Sequence, residues 1–307
     1  MKKISLVVPC FNEALSLHPF YTKVCEVLAP LQEVELEFMF VDDGSSDDTL
    51  SILHTLCDQD ARVKMISFSR NFGKEAALFA GIRAVTGDCC VILDADLQHP
   101  PEVILEMYEL WSSKNYEVVE GLKCSRGEES KAHSLFAKAF YAVMSRAIGM
   151  DMNRSSDFKL LDRCVVDELA KLTERNTFFR ALSFWMGFKR ATVYFDVQER
   201  VAGTTKWSFF SLLKYALDNV ISFSNKPLHI IAILGILFAA VGSFVGIDVL
   251  YSLFNHTISS GYPTLIFVIL ISSGAIMMSL GIVGIYISKM YDEIKHRPQY
   301  IIREKRE

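Results

Sequence analysis

Two long uncharged runs near the end of the sequence constrain the fold of this 307-residue chain more than any other feature. Residues 228–254 contain one charge, Asp248, and residues 264–288 contain none. Since a helix of about 20 apolar residues crosses a bilayer, each run is long enough to do so. A buried helix of a soluble core is the alternative, but one core rarely contains two such runs in succession. We therefore predict two transmembrane helices within a membrane segment over residues 227–289.

The charges around these runs predict their orientation. The connection over residues 255–263 has no Lys or Arg, whereas Lys226 precedes the first run and Lys289 and Lys295 follow the second. Basic residues favour the cytoplasmic side of a bilayer. We therefore expect both ends of the chain, and the domain before the spans, in the cytoplasm, with residues 290–307 as a cytosolic tail.

A juxtamembrane helix is predicted just before the first run. Over residues 207–226 the apolar side chains fall on one helical face, and Lys214 and Asp218 fall on another. Such a helix either lies at a membrane surface or packs against the preceding domain. The sequence leaves both arrangements open.

Charge and cysteine content exclude several classes of protein. The net charge of −4 gives no indication of nucleic-acid binding. All seven cysteines precede residue 165, and none belongs to a C-x-x-C pair, which argues against a zinc site and a disulfide framework. Reduced thiols in a cytosolic domain account for them.

Ahead of the membrane segment, apolar strand patterns alternate with helical patterns from residue 4 to about residue 121. This alternation is typical of an α/β domain with a mostly parallel sheet. We assign that domain to residues 1–206, with a further strand over residues 191–197. The usual dinucleotide-binding and P-loop glycine patterns are absent from the sequence.

Two carboxylates follow the fourth predicted strand at once. The apolar residues 91–93 run directly into Asp94 and Asp96. Ligands of open α/β sheets bind beyond the carboxyl ends of the strands, and Mg²⁺ takes one or two protein carboxylates together with phosphate oxygens. The stretch therefore suggests a metal that holds a diphosphate. A turn with exposed acids before a helix that begins at Pro100 is the simpler alternative.

Five segments together resemble one known family. In chain order they are Val7–Glu13, Asp42–Thr49, Asp94–Pro101, Ser156–Arg163 and Glu199–Lys206. Their order resembles the inverting glycosyltransferases of family 2, which have a GT-A fold. More narrowly, the chain with its two spans resembles the polyprenyl-phosphate glycosyltransferases, namely dolichol-phosphate mannose synthase and the bactoprenol glucosyltransferases of the GtrB type. The segment 69–77 is more similar to the bactoprenol glucosyltransferases than to the aminoarabinose-transferring branch. The chain departs from the family pattern where Lys159 stands in place of a common Arg and where Thr204 and Thr205 stand in place of a common Ser.

The resemblance implies a role for each matching residue. Asp157 would be catalytic together with Asp96. The residues implied to bind the nucleotide sugar are Pro9, Phe11, Glu13, Asp42, Asp94, Arg200 and Lys206, with Asp42 bonded to the base. The residues implied to hold Mg²⁺ or Mn²⁺ are Asp94, Asp96 and Gln98. The acceptor phosphate would be guided by Arg126, Lys131 and Lys138.

Simpler readings stay open for several of these residues. Glu13 is also consistent with an acid at a helix start, and Asp42 with a helix cap. Arg200 and Lys206 are also consistent with charges attracted to anionic lipid, and the basic residues after Ser125 with a solvated helix face.

The implied reaction is inverting transfer of a hexose to undecaprenyl phosphate at the cytoplasmic face of a bacterial inner membrane, with glucose from UDP-glucose expected. Enzymes with the same fold and motifs also use GDP-mannose, UDP-GlcNAc or UDP-aminoarabinose derivatives as donors, and these stay open as alternatives. A processive polysaccharide synthase is disfavoured because no Gln-x-x-Arg-Trp segment occurs. An inactive membrane scaffold is the alternative from another class. Small residues such as Gly281 and Gly284 suit close helix packing and would permit a homo-oligomer.

Overall fold

A computed structural model describes residues 1–31, 33–124, 156–175, 177–196, 226–254 and 262–307 of the chain. The chain divides into two compact units. The first comprises Met1–Leu212 together with Pro298–Glu307, and the second comprises Leu213–Arg297.

Strands and helices alternate through the first half of the first unit, as predicted. In order they are β1 (Lys2–Cys10), α1 (Leu17–Leu28), β2 (Val34–Asp42), α2 (Thr49–Gln59), β3 (Val63–Phe68), α3 (Lys74–Ala84), β4 (Cys89–Ile92), α4 (Val103–Lys114) and β5 (Val118–Lys123). The other elements among the described residues of this unit are β6 (Lys159–Asp162), α5 (Arg163–Lys171), α6 (Phe179–Trp185), β7 (Arg190–Phe195) and β8 (Ile302–Arg306).

All eight strands form one sheet in the order β7-β5-β6-β4-β1-β2-β3-β8. The pairs β1–β2, β1–β4, β2–β3 and β5–β7 are parallel. Strand β6 runs antiparallel to β4 and β5, and β8 runs antiparallel to β3. The predicted α/β class with a mostly parallel sheet is confirmed, and the two reversed strands are additions to it.

Helix α3 approaches the sheet closely because its sequence is rich in alanine and glycine. Residues 76–82 are all buried, and a Cβ at Gly81 would overlap a methyl group of Val7 on β1. The start of α3 is thereby fixed next to the carboxyl ends of the central strands. On α1, Phe20 packs edge-on against Phe40 of β2 with ring centroids 6.2 Å apart.

Residues 298–307, which follow the second predicted span, belong to the first unit. Strand β8 forms the edge of the sheet beside β3, and Tyr300 stacks on Phe68 with ring centroids 4.9 Å apart. Residues 290–307 are predicted as a tail, and strand β8 is not among the predicted elements. Its sequence is mostly charged, which an edge strand tolerates and a central strand does not.

The second unit contains the two long helices α7 (Lys226–Phe254) and α8 (Tyr262–Ile294). Leu228–Ile247 and Val268–Ile294 are long and apolar enough to cross a membrane, and neither is buried inside the protein. Both predicted spans are therefore present as helices with a suitable length and composition. The predicted juxtamembrane helix lies outside the described residues, apart from Lys226, with which α7 begins.

Candidate active site

The paired carboxylates follow the end of β4. Strand β4 ends at Ile92, and a left-handed residue, Leu97 (φ 60°), turns the chain back after Asp96. The backbone N–H of Gln98 donates to Asp96 Oδ1 at 3.0 Å, and the Asp94 side chain is 29% exposed. These residues therefore present hard oxygen atoms at an accessible point beyond the sheet.

This donor set fits a hard divalent cation. Within the described part of the chain, no three side chains of His, Cys, Asp or Glu are grouped to enclose a metal. A cation bound by Asp94 and Asp96 would complete its coordination with water or substrate oxygens, as Mg²⁺ usually does.

A lysine connects this carboxylate pair to Asp157. Lys74 is the first residue of α3, and its Nζ lies 2.6 Å from Asp94 Oδ1 and 2.9 Å from Asp157 Oδ2. Burial alone would lower the pKa of Lys74, but the carboxylates of Asp157 and Asp94 outweigh it and hold that pKa above its usual value. Lys74 is therefore a fixed positive charge.

The loop before α3 sets the position of Lys74. The carboxylate of Asp43, at the end of β2, accepts the backbone N–H groups of Phe72 at 2.6 Å and Gly73 at 2.9 Å. Gly73 has a φ of 102°, which favours glycine. Asp43 thus ties the carboxyl end of β2 to the residue that precedes Lys74.

Asp157 is held by a second cation as well. Arg180, on α6, donates from Nε to Asp157 Oδ1 at 2.6 Å and from Nη2 to Oδ2 at 3.0 Å. Burial would raise the pKa of Asp157, but Lys74 and Arg180 outweigh it and hold that pKa well below its usual range. Asp157 is consequently an ionised carboxylate engaged with two cations.

Two further contacts dock α6 so that Arg180 reaches Asp157. Glu75 Oε2 accepts the backbone N–H of Phe179 at 2.9 Å, and the fully buried Lys159 donates to the hydroxyl of Ser183 at 2.9 Å. Burial, and next the Asp157 carboxylate, raise the pKa of Glu75 to about 7. Lys159 also pairs with Glu120 on β5 at 3.1 Å. Hydrogen bonds and ion pairs therefore connect the start of α3 to α6.

The predicted nucleotide-binding residues lie at the same edge of the sheet. Pro9 on β1 pairs with Val41 on β2, and the Phe11 side chain is 41% exposed. Glu13 Oε2 accepts the hydroxyl of Ser16 at 2.6 Å.

Asp42 is more enclosed than its predicted role suggests. It is 1% exposed, and its carboxylate accepts the hydroxyl of Ser67 at 2.8 Å and the backbone N–H of Ser45 at 3.0 Å. These bonds fix the loop after β2. Base recognition by Asp42 stays a prediction.

The structure thus brings Asp94 and Asp157 together through a residue to which the sequence analysis gives no role. Lys74 lies in the segment quoted for its resemblance, and that segment is the signal that could have identified it. Arg180 lies in an ordinary helical pattern and carries no comparable signal. The remaining predicted residues lie outside the described part of the chain: Arg126, Lys131, Lys138, Arg200 and Lys206.

Comparison with known proteins identifies the family. The family model described as glycosyl transferase family 2 matches residues 5–189. The chain belongs to this family. An uncharacterized glycosyltransferase of Bacillus subtilis is 41% identical to this family 2 chain, and the matched region covers 98% of this chain and 93% of the relative.

Two further relatives carry more specific names. A prophage bactoprenol glucosyl transferase homolog of Escherichia coli is 37% identical, with 98% of each chain covered. The bactoprenol glucosyl transferase of Shigella phage SfV is 36% identical, with 99% of each chain covered.

Solved structures of a more distant protein share the fold of this family 2 chain. The glucosyl-3-phosphoglycerate synthase of Mycobacterium tuberculosis, in complex with Mn²⁺, UDP and phosphoglyceric acid, has a TM-score of 0.50 at 19% identity, covering 72% of this chain and 76% of that one. Its complex with Mg²⁺ and UDP also has a TM-score of 0.50 at 19% identity, covering 73% and 79%. The fold is the GT-A type, as the sequence analysis expects.

Proposed function

We propose that this chain transfers a hexose, with inversion, from a nucleotide sugar to the phosphate of a polyprenyl lipid such as undecaprenyl phosphate. The donor we propose is UDP-glucose. The product is a lipid-phosphate sugar that serves cell-envelope glycosylation. Relatives named bactoprenol glucosyl transferases, similar over nearly the whole chain, support this assignment.

The observation that carries the proposal is the pairing of Asp157 with two cations. A sugar hydroxyl acceptor needs a base to remove its proton, and Asp157, ionised and engaged with Lys74 and Arg180, is poorly suited to that task. A phosphate monoester has its second pKa near 6 and is already largely ionised at neutral pH. A site in which the candidate base Asp157 is held by two cations favours a phosphate acceptor.

The side chains divide into a donor group and an acceptor group. Asp94, Asp96 and Gln98 would hold Mg²⁺ or Mn²⁺, which supplies Lewis-acid stabilisation of the leaving diphosphate when it is bound. Pro9, Phe11, Glu13 and Asp42 would line the nucleotide pocket. Asp157 would hold Lys74 and Arg180 beside the phosphate oxygens of donor and acceptor, which their positive charge stabilises.

Five basic residues outside the described part of the chain complete the proposed site. Arg200 and Lys206 would contact the donor phosphates, and Arg126, Lys131 and Lys138 would guide the acceptor head group. Their positive charge suits phosphate oxygens.

The proposed location follows from the acceptor. A polyprenyl phosphate stays in the bilayer, whereas a nucleotide sugar is cytosolic, so the reaction belongs at the cytoplasmic face of the inner membrane. Helices α7 and α8 would anchor the catalytic unit there, with both chain ends in the cytoplasm and a juxtamembrane helix over residues 207–226. A homo-oligomer would be compatible with this arrangement.

The test is glycosyl transfer by the purified full-length protein in nanodiscs that contain undecaprenyl phosphate. Radiolabelled UDP-glucose, UDP-GlcNAc and GDP-mannose are each supplied with Mg²⁺, with Mn²⁺ or with a chelator. We expect metal-dependent labelling of the lipid from UDP-glucose. Transfer from another donor alone would correct the sugar and keep the reaction.

The scaffold alternative makes a different prediction in the same assay. A protein that neither labels the lipid nor binds any of the three nucleotide sugars with metal would be a scaffold with an inactive domain. A variant with both Asp94→Asn and Asp96→Asn is the matched inactive control, because it keeps the side-chain volumes and removes the charge.

A further inference from the structure

The carboxylate that would bind the metal is already engaged by a cation of the chain. Lys74 Nζ lies 2.6 Å from Asp94 Oδ1 and 2.9 Å from Asp157 Oδ2, so that one ammonium group contacts both carboxylates. The Lys74 side chain is 41% exposed, and its ammonium group is held by two carboxylate partners.

We propose that Lys74 competes with the divalent cation for Asp94 and thereby couples metal binding to donor binding. The inference rests on the proposed function, since it takes Asp94 as a metal ligand. In the protein without nucleotide, Lys74 neutralises Asp94 and opposes the metal by charge repulsion. With the donor present, the negative charge of the diphosphate attracts the cation and compensates for the Asp94 charge that Lys74 neutralises.

The position of Lys74 explains why it remains in the site when it releases Asp94. Asp157 Oδ2 lies 2.9 Å from the same ammonium group and is itself fixed by Arg180. The backbone of Lys74 is held by Asp43 through Phe72 and Gly73. A short displacement toward Asp157 therefore frees Asp94 and keeps the positive charge beside the diphosphate.

Coupling of this kind is reciprocal, so UDP tightens the metal by the same factor by which the metal tightens UDP. If Lys74 opposes the metal only while the nucleotide is absent, part of that factor comes from Lys74. Removing the ammonium group should raise the affinity for the metal alone and reduce the gain that UDP provides. A structural lysine that only stabilises the fold would move neither quantity in this direction.

The experiment is a Mn²⁺ titration of the full-length protein in nanodiscs of neutral phosphatidylcholine, with free Mn²⁺ measured by electron paramagnetic resonance. Wild type and Lys74→Met are titrated with and without UDP. We expect Lys74→Met to bind Mn²⁺ about tenfold more tightly without UDP, because a unit positive charge close to a divalent cation is removed. The tightening caused by UDP should fall by about the same factor.

Two variants serve as controls. Lys74→Arg keeps the charge and should stay close to wild type. Lys23→Met removes a lysine on α1 of similar exposure, 43%, that pairs with Glu102 at 2.7 Å. This variant should leave both Mn²⁺ affinities unchanged. If Lys74→Met fails to fold, as judged by its melting curve, Lys74→Gln replaces it in the same titration.

Failure of the inference is distinguishable from failure of the proposed function. If wild type binds Mn²⁺ with UDP but Lys74→Met shows unchanged or weaker Mn²⁺ affinity without UDP, the competition is refuted and the metal site stands. If wild type binds no Mn²⁺ even with UDP, both the inference and the proposed metal site are refuted.

Discussion

Lys74 and Asp157 form an ion pair of 2.9 Å although they lie 83 residues apart in the sequence. The pair joins the start of α3 to the residues that lead into β6. Because Arg180 holds the other oxygen of the same carboxylate, Asp157 serves as the centre of a cation cluster. We expect Asp157 to contribute to the reaction by holding the positive charges of Lys74 and Arg180 in position.

Replacement of Asp157 by Asn tests this assignment. The pKa of Asp157 is held well below its usual range, so the wild-type carboxylate stays ionised through neutral and alkaline pH. We expect Asp157→Asn to lose about 100-fold in transfer rate, because two cations lose their anchor. The loss should be constant between about pH 6 and pH 9, a range in which the acceptor phosphate becomes fully ionised.

A general-base role for Asp157 predicts the opposite trend. The variant would then recover at high pH, since a fully ionised acceptor needs no base. Asp167→Asn is the control, because Asp167 is an exposed acid on α5 that pairs only with Arg163 among the contacts described. It should keep the wild-type rate throughout.

Glu75 should make the stability of the first unit depend on pH. Its pKa is raised to about 7, above the usual value for glutamate, so the folded state binds more protons than the unfolded state in the range between the two pKa values. Stability therefore falls as pH rises through that range. Glu75→Gln keeps an oxygen for the Phe179 N–H and has no charge.

We expect Glu75→Gln to match wild type near pH 5 and to exceed it by about 2 kcal/mol near pH 8. Apparent melting temperatures of the detergent-solubilised protein at the two pH values measure the difference. Parallel pH dependence of the two proteins would show that Glu75 does not titrate in this range.

We expect a side chain at Gly44 to destabilise the protein for two reasons, backbone strain and steric overlap. A comparison with Gly187, where only the strain applies, separates the two. Gly44 has a φ of +67°, and a Cβ there would overlap the backbone of Arg70. Gly187 has a φ of +72° with open space around it. We expect Gly187→Ala to cost about 1–2 kcal/mol from backbone strain alone.

Gly44→Ala should cost more than Gly187→Ala and should also reduce transfer, because it displaces Arg70 in the loop that precedes Lys74. Melting temperatures and transfer rates of the two variants provide the comparison. Equal effects of both substitutions would mean that the contact between Gly44 and Arg70 has no influence on the site.

Lys159 should be essential for the docking of α6. It is fully buried, and it donates to Ser183 and pairs with Glu120. Lys159→Met leaves Glu120 without this partner in a buried setting, and we expect a loss of about 3 kcal/mol. Lys171→Met removes an exposed partner of Glu168 and should change stability by less than about 0.5 kcal/mol. Similar melting temperatures for both variants would contradict this account.

Sequence patterns predict the parts of the fold that depend on local periodicity. The carboxylates after β4 follow from an apolar strand and a strand-end rule, and both require only neighbouring residues. Strand β6 is only four residues long, and its pairing with β4 and β5 brings together residues far apart in the chain. No local pattern could indicate it.

The cation cluster around Asp157 is non-local in the same way. A lysine at a helix start, such as Lys74, usually lies in solvent, and its two carboxylate partners come from later segments of the chain. The sequence alone cannot name the partners of Asp157, because only the fold brings α3, α6 and the start of β6 together.

Strand β8 affects the order in which the protein can be made. Synthesis delivers seven strands of the sheet before α7 and α8, and β8 only after them. Until then β3 is an open edge, and Phe68 lacks the ring of Tyr300 that covers it. The sheet is therefore completed only after both apolar helices have been synthesised. A chain interrupted within those helices carries an unfinished sheet with an exposed strand edge.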